Sequence, residues 1–466
     1  MKKSILKGLL LILFSSTCFA CTNGIEGLTD ASIPVIDSPP SLVAEVKATT
    51  HFLGWGNVGD TTIKVKADKD ILPALTGKKV DLASITANLE GGFRMISVGG
   101  SLSAGFRDGG LYREGQLTAF PNLIARQMNI PFYQPLFDAN EGNGSGYKTL
   151  VGFEPIATFR MVTNNLGYVD NKAEKLKKFN GSNLDSYAFP EITKEMEYTS
   201  LNQKYIDRSI SDISKGNYKS PLDLVKQQSA DFAIFELGMD NLITGTLNAL
   251  GGGINDFYQG LIRLPSEQSL LKDMSNRKIK GVILNVPYVL DFPYFNQFTT
   301  EKVKKLGIQL TVQESRGSDR YRSFDYSTDR LVPTKNVEEL FKGNVRAEVK
   351  LEDSDVISGT YNGKTEVQDL DPTNYNSFEL QKKAKEINWP IVDMYSIYKK
   401  ILAGTYSTDD GVKVNPDWQK GNFFSADGIY PSAFGQAVIA NEVIKTMNQF
   451  YKLNIPLVET KFFLKK

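Results

Sequence analysis

The chain offers one imidazole, His51, and two thiols, Cys18 and Cys21, in 466 residues. Acid–base and nucleophilic chemistry therefore falls to hydroxyls, carboxylates and lysines. Ser101 is the first candidate: in FRMISVGGSLSAG, residues 93–105, an apolar run breaks into Gly99 and Gly100 just before it. A serine at the sharp turn ending a buried strand is rigidly held beside backbone N–H groups that can receive an oxyanion. Asp427 and Tyr430 stand three residues apart in SADGIY, and Asp240 and Asn241 close the run FAIFELGMDN. Glu236, inside that run, needs a partner if it is buried. No histidine and cysteine cluster suited to zinc or iron and no EF-hand spacing is present, so no metal or other cofactor is implied.

The elements that must position these groups are legible as runs. Residues 93–98, 232–237, 281–286 and 391–393 are short and apolar throughout, which predicts strands buried on both faces. Helical periods fall between them, over 119–128 and 221–228. The last helix is the clearest, with Ala440, Val443, Ile444, Met447 and Tyr451 spaced to line one face. Strands alternating with helices predict a parallel sheet wrapped on both sides. TTIKV, 61–65, reads as a short strand and 71–89 as containing a helical stretch, so 42–91 is expected to form a small N-terminal appendage. Residues 299–371 turn polar and charge-rich and are expected to be an insertion on the surface of the same domain, without a core of its own. Within them, 316–330 interleaves Arg316, Arg320 and Arg322 with Asp319, Asp325 and Asp329 around Tyr321, Phe324 and Tyr326. That pattern fits a self-neutralising surface, or a rim that stacks on a polar ligand such as a glycan.

Composition limits the partners. Hydrophobic residues make up 41% and charged residues 23% of the chain, which describes a globular core and excludes disorder, collagen and coiled coil. Lys plus Arg number 54 against 53 Asp plus Glu, so no net field attracts a polyanion and nucleic acid is not an expected partner. The start has Lys2, Lys3 and Lys7, an apolar run from Leu9 to Phe14, and small residues leading to Cys21. This is the layout of a secretory signal, too short to span a membrane. Cys21 after Ala20 resembles the lipobox of bacterial lipoproteins, which implies residues 1–20 as signal peptide, acylation of Cys21, and a cell-envelope location anchored to the outer membrane, on either face. Residues 21–41, with Pro34, Pro39 and Pro40, read as a tether.

Four segments together resemble the SGNH, or GDSL, hydrolases, in particular the lipoprotein members of Bacteroidetes-like bacteria. VGGSLSAGF is similar to the family's first block and is followed by the similar DGGLYREGQLTAFPNLIARQ. LGMDN resembles the third block, and FFSADGIYPSAFGQAVIANEVI, 423–444, the fifth with its closing helix. NVPYVLDFPYF, 285–295, is similar to a further stretch of these lipoproteins. The resemblance spans about residues 92–458, with 459–466 as a tail. It implies a three-layer α/β/α fold with a central parallel sheet, and Ser101 as nucleophile. The acidic residue usual before that serine is Gly100 here. Block two implies a glycine N–H in the oxyanion hole, and its best match puts Asp170 there. Block three implies an asparagine, matched by Asp240 with Asn241 one residue later. Block five implies an aspartate and a histidine, matched by Asp427 and Tyr430.

Each departure has a chemical consequence. A tyrosine of ordinary pKa about 10 donates at neutral pH and cannot take a proton as imidazole does. Losing the histidine of a serine triad costs on the order of 10⁶ in turnover. An aspartate in the oxyanion hole replaces a donor worth roughly 10² to 10³ with a negative charge. Neither His51 nor Lys172 is expected to reach Ser101, and Asn241 would need a local bulge to replace Asp240. No side chain able to take the serine's proton is identified. The expectation is a lipid-anchored protein whose SGNH-like site is impaired and which binds a glycan or an acylated small molecule. The alternative is a working serine ester hydrolase with Ser101 as nucleophile and an unassigned base.

Overall fold

In a computed structural model the described residues are 68–464, apart from 76, 87–91, 163–168, 171–174, 182, 193–201, 211–220, 249–264, 343–346, 360–365 and 374, together with 45–47 and 62–64. The signal, the tether, Cys21, His51 and Lys172 lie outside them. Five strands form the central sheet: β1 (Met95–Gly99), β2 (Ser186–Ala188), β3 (Phe232–Glu236), β4 (Lys280–Leu284) and β5 (Ile391–Val392). All pair in parallel, in the order β5-β4-β3-β1-β2. Four of them coincide with the predicted apolar runs. β2 was not foreseen, because its sequence is only Ser-Tyr-Ala and it is buried by its neighbours rather than marked by its composition.

Among the helices are α1 (Ser101–Ala104), α2 (Phe120–Met128), α3 (Pro221–Lys226), α4 (Met239–Asn248), α5 (Pro265–Asn276), α6 (Gln381–Ile387), α7 (Met394–Leu402) and α8 (Ala433–Tyr451). α2 carries Pro121 in its first turn and ends on left-handed Asn129, the expected asymmetry of start and stop. α8 is capped by Ser432, whose hydroxyl accepts from the Gly435 N–H at 3.1 Å. It buries Phe434, Ala440, Val443, Ile444 and Met447. α2 and α8 pack on one another, and α5 packs on both α3 and α6. With the right-handed crossovers that parallel strands follow as a rule, these two sets fall on opposite faces of the sheet, an arrangement compatible with three layers. The chain runs from β1 to β2 on one side and back to β3 on the other. That reversal makes a topological switch point at the carboxyl ends of β1 and β3, where open α/β sheets place ligands.

Three boundaries need correction. The stretch 68–86 is not an appended layer: Ile71, Leu72, Val80 and Ile85 belong to the main core, and Arg113 pairs with Asp68 at 3.1 Å. Before residue 68 the described residues hold only the ladder between Glu45–Lys47 and Thr62–Lys64. The end of the chain is also no loose tail, since Phe463 enters the core and Thr460 donates to Asp410 at 2.6 Å.

The insertion does have its own core, contrary to expectation. Gln309–Gln313 lies between Tyr321–Ser323, antiparallel, and Glu348–Leu351, parallel. Beneath them cluster Phe298, Leu310, Val312, Phe324, Leu340 and Leu351. The mixed charges of 316–330 hid this, because one pair turns inward: Arg322 meets Asp329 at 2.5 Å and Ser358 at 3.0 Å.

Candidate functional site

Ser101 stands at this switch point, two residues beyond the end of β1. Its position depends on Glu236, which pairs with Gly99 in the sheet register. The Glu236 Oε2 accepts from the Gly100 N–H at 3.1 Å and from the Ser103 hydroxyl at 2.9 Å. The partner expected for a buried acid is therefore the turn itself. Ser101 is fully buried. Its hydroxyl donates to Asp240 Oδ2 at 2.9 Å and accepts from the Glu191 N–H at 3.0 Å, while its own N–H donates to the same Asp240 oxygen at 2.8 Å.

Asp240 reaches the serine because β3 stops at Glu236 and Gly238, at φ 113°, turns the chain into α4. A Cβ on Gly100 would come within 2.6 Å of Asp240 Oδ2. Glycine before the serine and aspartate at 240 are thus one steric unit. Tyr430 completes it, donating from its hydroxyl to Asp240 Oδ1 at 2.9 Å. Its ring lies edge-on to Phe106 at 5.4 Å. Both Tyr430 and Asp240 are about 95% buried, at 5% and 4% exposure.

Asp427 is not part of this relay. Its Oδ1 accepts from the N–H groups of Ile429 and Tyr430 and from the Ser425 hydroxyl, each at 2.9 Å, and its Oδ2 from the Gly109 N–H at 3.2 Å. It shapes the loop that delivers Tyr430, as an aspartate does when it bonds its own backbone two and three residues on. Asp170 also requires correction. It pairs with Lys175 in a separate two-stranded ladder, Val169–Asp170 with Lys175–Leu176, and the N–H that meets Ser101 comes from Glu191. Glu191 follows β2 and holds φ at +60°, a backbone state uncommon without glycine. Only the recognition of β2 would have found it. Asn241 is buried, and its Nδ2 has no hydrogen-bond partner. One step along a helix turns a side chain about 100°, so Asn241 does not replace its neighbour.

The acids respond to burial. Glu236 is pushed up to about 8 by burial and by Asp240 beside it. Asp240 is raised by burial, against the lowering pull of hydrogen bonds from Ser101, Tyr430 and Glu191. Tyr430 is driven well above its ordinary range by burial and by Asp240, so at neutral pH it keeps its proton. Asp427 rises to about 6 through burial and the nearness of Asp108. The expectation that nothing beside Ser101 accepts a proton is corrected: Asp240 does, at hydrogen-bond distance. Among the described residues no group of three or more His, Cys, Asp or Glu side chains is arranged to hold a metal ion, and no helix is long and apolar enough to cross a membrane.

Fold and site define an α/β protein with a central parallel sheet and a sealed serine–aspartate–tyrosine cluster at the sheet's topological switch point. A scan against family models found no match to the chain, and a search of curated proteins found no relative.

Proposed function

We propose that the chain is an exported protein, anchored through lipid on Cys21 to the outer membrane, whose SGNH-hydrolase-like domain binds a ligand rather than hydrolysing esters. The single observation that carries this is the bond from Tyr430 to Asp240. Two of the positions at which the sequence departs from the family's pattern complement each other: a hydroxyl donor stands where a base is needed, and a carboxylate acceptor stands where a donor is needed. Each departure alone would leave a buried polar group unmatched; together they make a satisfied network that closes over Ser101. An incoming carbonyl would have to displace the Glu191 N–H and the Asp240 carboxylate from an oxygen with no exposed surface.

The rival reading, a serine ester hydrolase, has one observation in its favour. Asp240 Oδ2, 2.9 Å from the Ser101 Oγ, is the acceptor such an enzyme would use as its base. The two are separated by incubating the protein with a fluorophosphonate probe and short p-nitrophenyl esters, beside Ser101→Ala. No labelling and identical background turnover are expected. Labelling of wild type that vanishes in Ser101→Ala overturns the binding-protein reading.

A further inference from the structure

We infer that the donor cluster around Ser101 is a small-carboxylate receptor whose resident ligand is the protein's own Asp240 side chain. This rests on the non-hydrolytic reading above and names what occupies that site. Three donors hydrogen-bond one carboxylate, and a fourth stands beside it. Oδ2 takes the Ser101 N–H at 2.8 Å and the Ser101 hydroxyl at 2.9 Å. Oδ1 takes the Tyr430 hydroxyl at 2.9 Å. The Glu191 N–H, 3.0 Å from Ser101 Oγ, is close enough to Asp240 to favour its ionised form.

Two of these donors are backbone N–H groups, which cannot reverse and accept. They come from the turns after β1 and β2, and the hydroxyls from Ser101 and from the loop before α8, so their convergence is set by tertiary structure. The same backbone groups in an open site would stabilise a developing oxyanion. Here a tethered anion fills that place. Gly100 supplies the clearance, since any Cβ there would meet the carboxylate at 2.6 Å. The ligand class follows from the occupant: a planar, singly charged carboxylate no larger than the side-chain end it replaces.

Asp240→Ala deletes that group and should leave a receptor for free formate. The full chain carrying this substitution is titrated with sodium formate and followed by its thermal unfolding midpoint, with sodium chloride at equal ionic strength and formamide as charge and shape controls. A saturable rise with formate alone, absent in wild type, is expected, and adding Tyr430→Phe should weaken formate binding about tenfold. An equal response to formate, chloride and formamide, or an equal response of wild type, overturns the inference. If Asp240→Ala does not fold, Asp240→Asn keeps the shape and removes the charge. A lower midpoint than wild type at neutral pH supports a receptor for an anion, and an unchanged or higher one refutes it, because the charge is then only tolerated. Fluorophosphonate labelling of wild-type Ser101 would sink the non-hydrolytic reading and leave the formate response a separate question with its own answer.

Discussion

Tyr430→Phe removes one oxygen and leaves the ring against Phe106, so it isolates the bond to Asp240. That bond is 2.9 Å long between two groups almost wholly buried. A hydrogen bond to a charged group contributes about 1.5–3 kcal/mol, and a buried acceptor stripped of its donor has no water to replace it. The folding equilibrium should shift by about tenfold to a hundredfold, since 1.4 kcal/mol is a factor of ten. In an Asp240→Asn background the acceptor is a neutral amide oxygen, and the same tyrosine change should cost only about 0.5–1.5 kcal/mol. The coupling between the positions is therefore expected near 1–2 kcal/mol, well beyond the additivity of distant sites. Urea denaturation of wild type, both single variants and the double variant, read on the transition that unfolds the central sheet, measures it. Equal costs of Tyr430→Phe in the two backgrounds would refute the claim that hydroxyl and carboxylate complement each other.

Stability should fall as pH rises through the neutral range. Glu236 holds its proton to about 8 in the folded chain but releases it near 4.3 when unfolded, so its contribution is complete below about pH 4.3 and is lost as pH approaches 8, with a slope up to about 1.4 kcal/mol per pH unit. Glu236→Gln should flatten that slope in denaturation series at pH 5, 6, 7 and 8. Gly100→Ala pushes a methyl to 2.6 Å from Asp240 and should cost about 1–3 kcal/mol, less when Asp240→Ala is also present; a full cost in both backgrounds would place the clash elsewhere. Arg322→Leu strands the buried Asp329 carboxylate and should cost the insertion about 3–5 kcal/mol, read as earlier proteolysis of 299–371 with the central sheet intact.

Much of the scaffold was legible. Continuous apolar runs announced β1, β3, β4 and β5, because strands buried on both faces admit little else, and the period of α8 announced its buried face. The serine's place at the end of a strand, and the unusual chemistry of Asp240 and Tyr430, were also visible in the letters. β2 was missed because three residues carry no period, and with it went Glu191, whose backbone N–H has no signature in a side chain. The insertion's core was hidden by mixed charges, one pair of which, Arg322 and Asp329, neutralises itself inside the fold.

The amino-acid order by itself determined which groups exist: no histidine within the described residues, a serine after two glycines, an aspartate and a tyrosine 190 positions apart. Only tertiary structure decided that these last two bond to each other, because the distance between side chains on β3's turn and on the loop before α8 is fixed by sheet order and crossover handedness rather than by anything local. It also decided which backbone N–H faces Ser101, for a main-chain donor takes its direction from dihedral angles that no single letter specifies.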